Sequence, residues 1–228
     1  MSDARPASLF DIIGPVMVGP SSSHTAGAVR LGQIARAILG TQPDRVLIEL
    51  HGSFALTGKG HGTDRAVVAG LLGFSTADDR IRDSLALARQ AGMEVRFATC
   101  DLGPGAHPNA LRMTLEAGAT QCSMTGASVG GGLVLITTVD EYEVDFSGTY
   151  HTLLIVSQDR PGTINAVTNW LAAHQINVAF LSVGRKERGG DSIMLIETDD
   201  PVPAAVTEGL ATFPWVRWVR YIPRITDA

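Results

Sequence analysis

The chain has little with which to hold a metal, cross a bilayer or grip nucleic acid. Only two of its 228 residues are cysteine, Cys100 and Cys122, and they lack CxxC spacing. Two cysteines cannot by themselves ligate an iron–sulfur cluster or build a structural zinc site. In a reducing compartment two buried free thiols are expected rather than a disulfide. No HExxH motif, no Ser–His–Asp order and no familiar metal spacing of His or Asp/Glu is present, so no metal ligands are expected in this chain. No apolar run approaches the roughly 18 residues that span a bilayer. The N-terminal MSDARPASLF lacks the apolar core of a signal peptide, so a cytoplasmic location without a membrane partner is expected. The formal net charge is -5 and no basic stripe offsets it, which argues against nucleic acid as a partner.

What remains is the composition of a globular protein, 45% hydrophobic and 18% charged, long enough for one large domain or two modest ones. Residues 1–147 read as a mixed α/β or α+β unit. Arg45 to Leu50 alternates like a strand, Thr63 to Gly73 and Asp78 to Gln90 read as helices, and Glu94 to Thr99 as a second strand. Thr63 or Asp64 is available to cap the first of those helices. ALRMTL, a turn at EAGA, LVLITTV and EYEVDF add further sheet. Ser147-Gly148 marks a composition shift, after which the order is strand, helix, strand, strand, helix, strand. That βαββαβ order predicts a four-stranded sheet with two helices on one face over residues 148–228. The fold class expected is therefore α+β, in two domains, 1–147 and 148–228.

The most informative stretch is Gly19-Pro20-Ser21-Ser22-Ser23-His24-Thr25. Leu31, Ile34, Ala35 and Ile38 recur behind it at helical spacing, so the hydroxyls gather at a helix N-terminus, where free N–H groups and the dipole favour an anion. One serine suffices for a cap. Three, followed by an imidazole, point to a binding loop. A second stretch, His51 to Asp64 (HGSFALTGKGHGTD), interleaves Gly58, Gly60 and Gly62 with Lys59 and His61, and reads as a tight glycine loop before a helix. It lacks P-loop spacing. His61, as an imidazole, is a candidate general base, and Lys59 a candidate to hold an anion or modulate its neighbour. His107-Pro108-Asn109 is by itself a turn, although Asn109 offers a donor and acceptors. Ser128 before Gly130 to Gly132 serves equally as a strand end or a ligand contact. In the second unit, Asp159-Arg160-Pro161-Gly162 joins strand to helix with free N–H groups, and Asn177 opens the next strand, expected close to that turn.

GPSSSHTAGAVRLG, HGSFALTGKGHGTD, HPN and SVGGG, in that order between residues 14 and 132, resemble the β subunits of bacterial iron–sulfur-dependent L-serine dehydratases. Residues 150 to 224, with DRPGTINAVTNWLAAHQINVAFL, resemble an ACT domain. The resemblance implies a subunit of an L-serine ammonia-lyase that forms pyruvate and ammonia without pyridoxal phosphate. It also implies a [4Fe–4S] cluster ligated by an α subunit and not by this chain. By motif, His61 is the implied α-proton base, with Lys59 beside it. Ser21, Ser22, Ser23, His24, Thr25, Asn109 and Ser128 are the implied contacts of L-serine. Asp159, Arg160, Pro161, Gly162 and Asn177 are the implied regulatory site, and self-association through ACT domains is expected. The first domain also resembles the allosteric substrate-binding domain of some phosphoglycerate dehydrogenases. This keeps open a purely regulatory amino-acid sensor, or an oligomerisation module, as rival readings.

Overall fold

The computed structural model describes residues 15–185 and 187–225, the Lys59 side chain excepted. A π-type turn, Ser22–Gly27, runs directly into helix α1, Ala28–Leu39, which ends on left-handed Gly40. Strand β1, Arg45–Leu50, leads into α2, Gly52–His61, and α3, Thr63–Leu71. A 3-10 turn, Asp79–Asp83, precedes α4, Ser84–Gln90, so the helix expected over 78–90 is split in two. Strands β2 (Glu94–Thr99), β3 (Ala110–Ala117), β4 (Thr120–Gly130), β5 (Leu133–Val139) and β6 (Tyr142–Phe146) complete a six-stranded sheet ordered β2-β1-β3-β4-β5-β6. Only β1 and β2 pair in parallel; the other neighbours are antiparallel.

One face of this sheet is apolar and packs on the helices. Val46, Ile48, Leu111, Met113, Leu115 and Met124 share a core with Leu31, Ile34, Ile38, Val67 and Leu71. The opposite face carries paired charges, Arg45–Glu116, Arg96–Glu94 and Arg112–Glu49, and stands in solvent. Alternation along each strand produces the two faces. Helices α1 and α3 cross at Gly32 and Gly70. A Cβ on Gly32 would lie 2.2 Å from the Val67 carbonyl oxygen, and one on Gly70 2.0 Å from that of Val29. No side chain fits between these backbones.

The second sheet follows with β7 (His151–Gln158), α5 (Thr163–Ala173), β8 (Val178–Arg185), β9 (Asp191–Thr198), α6 (Ala204–Ala211) and β10 (Val216–Ile222). Its order, β10-β7-β9-β8, is the antiparallel sheet expected of a βαββαβ chain. The molecule is thus an α+β protein with a mixed six-stranded sheet and an antiparallel four-stranded one. Strand β7 is apolar on both sides for a reason the structure supplies. Leu153 and Ile155 face α5 and α6 with Met194 and Ile196, while Leu154 and Val156 join Ile193, Leu195 and Ile222 in the core of the first unit. Arg220 Nε donates to the Ile38 carbonyl at 2.8 Å, fastening β10 to the C-terminal turn of α1.

Candidate functional site

The stretch His51–Asp64 is helix, not the glycine loop its sequence suggests. Helix α2 runs through Gly58 to His61, then Gly62 (φ 73°) takes the left-handed conformation, its N–H donating to the Gly58 carbonyl before α3 begins. The apolar residues of α2 do not form a stripe: Phe54 is buried while Leu56 is 87% exposed. Periodicity therefore could not reveal it. The caps differ from expectation too. Gly62 is the N-cap of α3, Asp64 Oδ1 accepts the neighbouring Arg65 N–H at 2.9 Å, and the Thr63 hydroxyl is buried without a partner.

This helical break carries His61 into a cleft of about 290 Å³ against the Ser22–Gly27 turn, lined also by Gly19, Pro20, Thr25, Arg65 and Arg82. On α2, the His61 Nδ1 lies 3.1 Å from the Thr57 carbonyl, one turn earlier. A carbonyl only accepts, so the neutral ring carries its proton on Nδ1 and leaves the Nε2 lone pair unprotonated. His24 lies against it, ring centroids 4.8 Å apart, with Phe54 edge-on at 5.2 Å. The Thr57 hydroxyl donates to the Ser53 carbonyl at 2.9 Å, spending its only proton. Towards His24 Nε2, 3.1 Å away, it must then accept, which fixes the Nε2–H tautomer of His24. Ser53 Oγ lies 3.4 Å from the same nitrogen. Burial holds the His24 pKa below the usual imidazole value; the neighbouring His61 lowers it further, against an opposing contribution from Ser53. The two rings meet at a tilt of 38°, and burial of His24 disfavours a second positive charge beside His61.

The serines divide their work. Ser21 Oγ accepts the His24 N–H at 3.2 Å as the cap of the turn, while Ser22 and Ser23 stand half-buried beside it. Thr25 is 2% exposed, lines the cleft, and its Oγ1 has no hydrogen-bond partner. Asn109 and Ser128 come to the far side of the same turn. The Ser128 N–H donates to the Asn109 carbonyl at 3.0 Å, and the wholly buried Ser128 Oγ sits 2.0 Å from where a Gly27 Cβ would be. His24, Thr25 and His61 are therefore brought together, with Asn109 and Ser128 behind them rather than in the cleft lining. The Lys59 side chain lies outside the described residues. Ser53, Thr57, Arg65 and Arg82 were missed in the sequence. The first two become visible only once α2 is known to be a helix, which puts residues 53, 57 and 61 on one face.

In the second sheet, Asp159 to Gly162 form the expected turn at the start of α5, with Gly162 at φ 91° as its N-cap. Asp159 Oδ2 accepts from Gly189 N at 3.0 Å and Arg185 Nη1 at 2.8 Å, and those bonds hold its carboxyl below the usual carboxylate range. Asn177 is not close to that turn. Helix α5 returns the chain to the start of the sheet, so Val178 pairs with Thr198, which itself pairs with His151 at the beginning of β7. Asn177, bonded to Asp199 at 2.7 Å, lies a full strand away from Asp159, about 25 Å at 3.3 Å per residue.

Comparison with known proteins decides what this arrangement belongs to. The family described as "Serine dehydratase beta chain" matches residues 8–139. The chain belongs to that family. The ACT domain family matches residues 151–211. A Bacillus subtilis protein named "Probable L-serine dehydratase, beta chain" is 43% identical over 91% of this chain and 94% of its own length. The L-serine dehydratase β chain of Peptoniphilus asaccharolyticus is 37% identical over 89% and 92%. A D-3-phosphoglycerate dehydrogenase of Methanocaldococcus jannaschii is 39% identical over 50% of this chain but 22% of its own. This chain is a subunit of L-serine dehydratase, an ammonia-lyase, and its description as a β chain implies an α partner.

The residues present do not fit an iron–sulfur cluster. Cys122 is 7% exposed in the core and burial pushes its thiol up to about 12, far from the thiolate a cluster needs. Cys100 lies at the other end of the sheet, its N–H on the Leu50 carbonyl, whereas Cys122 shares a row with Leu115 and Val46. Among the described residues no group of three His, Cys, Asp or Glu could hold a metal ion, and no helix is long and apolar enough to cross a membrane.

Proposed function

We propose that this β chain contributes the α-proton base of the ammonia-lyase reaction, and that His61 is that base. The observation that carries this is the tautomer imposed by Thr57. With Nδ1–H donated to a carbonyl one turn back, Nε2 is a lone pair on the cleft, and the tilted His24 ring beside it is one whose burial disfavours an opposing charge. L-serine would enter the cleft with its Cα–H towards His61, and the Thr25 hydroxyl would supply a hydrogen bond to it. Ser21 to Ser23 would shape the wall of the turn, and Asn109 and Ser128 would hold that wall from behind. The α chain would complete the cleft and ligate the [4Fe–4S] cluster. Leu56, exposed on the same helix as His61, offers that partner an apolar contact. The residues 159–162 would serve regulation, and ACT domains would mediate self-association. Residues 1–147 and 148–228 are the corresponding units. The site lies in a cytoplasmic enzyme on this reading.

The test is reconstitution with the α chain under anaerobic conditions. His61→Ala is expected to abolish pyruvate formation from L-serine while co-purification with the α chain is unchanged. Near-normal turnover by that variant would remove His61 as base. The relationship to a phosphoglycerate dehydrogenase supports a second reading, in which the first unit only senses an amino acid. An α chain fully active without this chain would favour it.

A further inference from the structure

We infer that Arg65 and Arg82 form the carboxylate grip of this cleft, an assignment that rests on His61 being the base. Both side chains line the same cavity as His61 and Thr25. They are placed by different elements, Arg65 in the first turn of α3 and Arg82 in the 3-10 turn Asp79–Asp83. Those elements are tied together, because the fully buried Ser84 donates to the Arg65 carbonyl at 2.7 Å. Neighbouring Arg80 is neutralised by a bidentate pairing with Asp78 and stacks over Phe74 at 4.1 Å. Neither Arg65 nor Arg82 has an ion-pair partner among the described residues. Arg65 also sits where the dipole of α3 disfavours a cation, so the cleft concentrates positive potential that no ion pair among the described residues relieves. The second, independent sign is Thr25 Oγ1, buried, unpartnered and lining the same cavity.

The chemistry of the substrate makes the assignment specific. In an α-amino acid the carboxylate carbon is one bond, about 1.5 Å, from Cα. Whatever grips the carboxylate must therefore share a cleft with the group that takes the α-proton. Guanidinium is the side chain best matched to a carboxylate, and two arginines line the cleft of the base here. The three hydroxyls of Ser21 to Ser23 are then not the main anion site, and the carboxylate lies instead at the α3 start.

The experiment uses the reconstituted α/β enzyme with Arg65→Gln, Arg82→Gln and the corresponding lysine variants. Each glutamine variant is expected to raise KM for L-serine about 10- to 100-fold with kcat within about twofold, the range of one lost charge-assisted hydrogen bond. The thermal shift on adding L-serine should shrink, while inhibition by L-serinamide, whose carboxylate is neutralised, should not change. Lysine should restore part of the affinity. Unchanged KM and thermal shift would overturn the inference. So would a weakened α–β association whose effect on KM vanishes at saturating α chain, since the arginines would then be docking residues. His61→Ala separates the two claims. If it stays active while the arginine variants lose affinity, the base assignment falls and the grip stands; if it is inactive and they bind normally, only the grip falls.

Discussion

At the scale of single residues, hydrogen-bond direction does most of the work. His24, His61 and His151 each have one ring nitrogen whose role is dictated by a neighbour with no choice. For His151, the Arg224 N–H points at Nδ1 from 3.2 Å and can only donate, and the Tyr221 hydroxyl lies 2.6 Å from the same atom. Nδ1 must accept, so protonating it would break that bond. Its pKa accordingly lies below the usual value, by burial first and then by Arg224, against an opposing contribution from Asp200. His24 is lowered as well. The sign follows: the unfolded chain takes up protons near pH 6.5 while the folded chain still resists. The stabilisation is present above that pH and is lost as pH falls through the folded value. The melting temperature is expected to drop between pH 7 and pH 5. His151→Gln, which keeps an acceptor but does not titrate, should flatten that drop; a curve parallel to the wild type would contradict the assignment.

At the scale of elements, the turn Ser22–Gly27 is held by glycine on two sides. Ser128 occupies the space of a Gly27 side chain, and Thr25 that of a Gly19 side chain. The crossing of α1 and α3 is closer still. Gly70→Ala would drive a methyl onto the Val29 carbonyl, which belongs to backbone and cannot rotate away. A loss of at least about 2 kcal/mol is expected, with a melting temperature several degrees lower. Because α1 continues the site turn and α3 carries Arg65, activity should fall with it. A stability within error of wild type, measured by denaturant unfolding, would show that the helices can part. The element most poorly legible in the sequence was α2. Gly58 and Gly60 suggested a loop, and without an apolar stripe nothing contradicted that. The helix is instead fixed by its packing: buried Phe54 anchors it, and Gly62 ends it in a conformation that suits glycine.

At the scale of the molecule, the two sheets are not independent bodies. The ACT sheet covers one face with its own helices and gives the other to the first core, through Leu154, Val156, Ile193, Leu195 and Ile222. A chain cut after Ser147 would expose the apolar surface those residues cover. Such a fragment is expected to aggregate or to melt far below the full chain, which should itself unfold in one cooperative transition by calorimetry. A soluble fragment with an unchanged melting temperature would refute the shared core. The same packing would give the proposed regulation a route. Helix α1 continues the turn that carries His24 and Thr25 and meets Arg220 of the ACT sheet at its other end, so a shift of that sheet bears on that turn.

Sequence alone determined the class of the fold, the strand and helix order of the second unit, most strands of the first, and the clustering of hydroxyls and imidazole at a helix start. Each of these is a local pattern: alternation, a 3.6-residue period, or a capping residue next to the group it caps. Continuous apolar runs such as LLIV in β7 were legible as strand but not as strand shared between two cores. Tertiary structure alone decided that residues 53, 57 and 61 lie on one helical face, that Arg65 and Arg82 line the cleft of His61 without an ion pair among the described residues, and that Asn177 stands a strand away from Asp159. Those relations depend on which distant segments meet. That is set by glycine-permitted backbone contacts and by burial on both faces of a sheet, neither of which has a period along the chain.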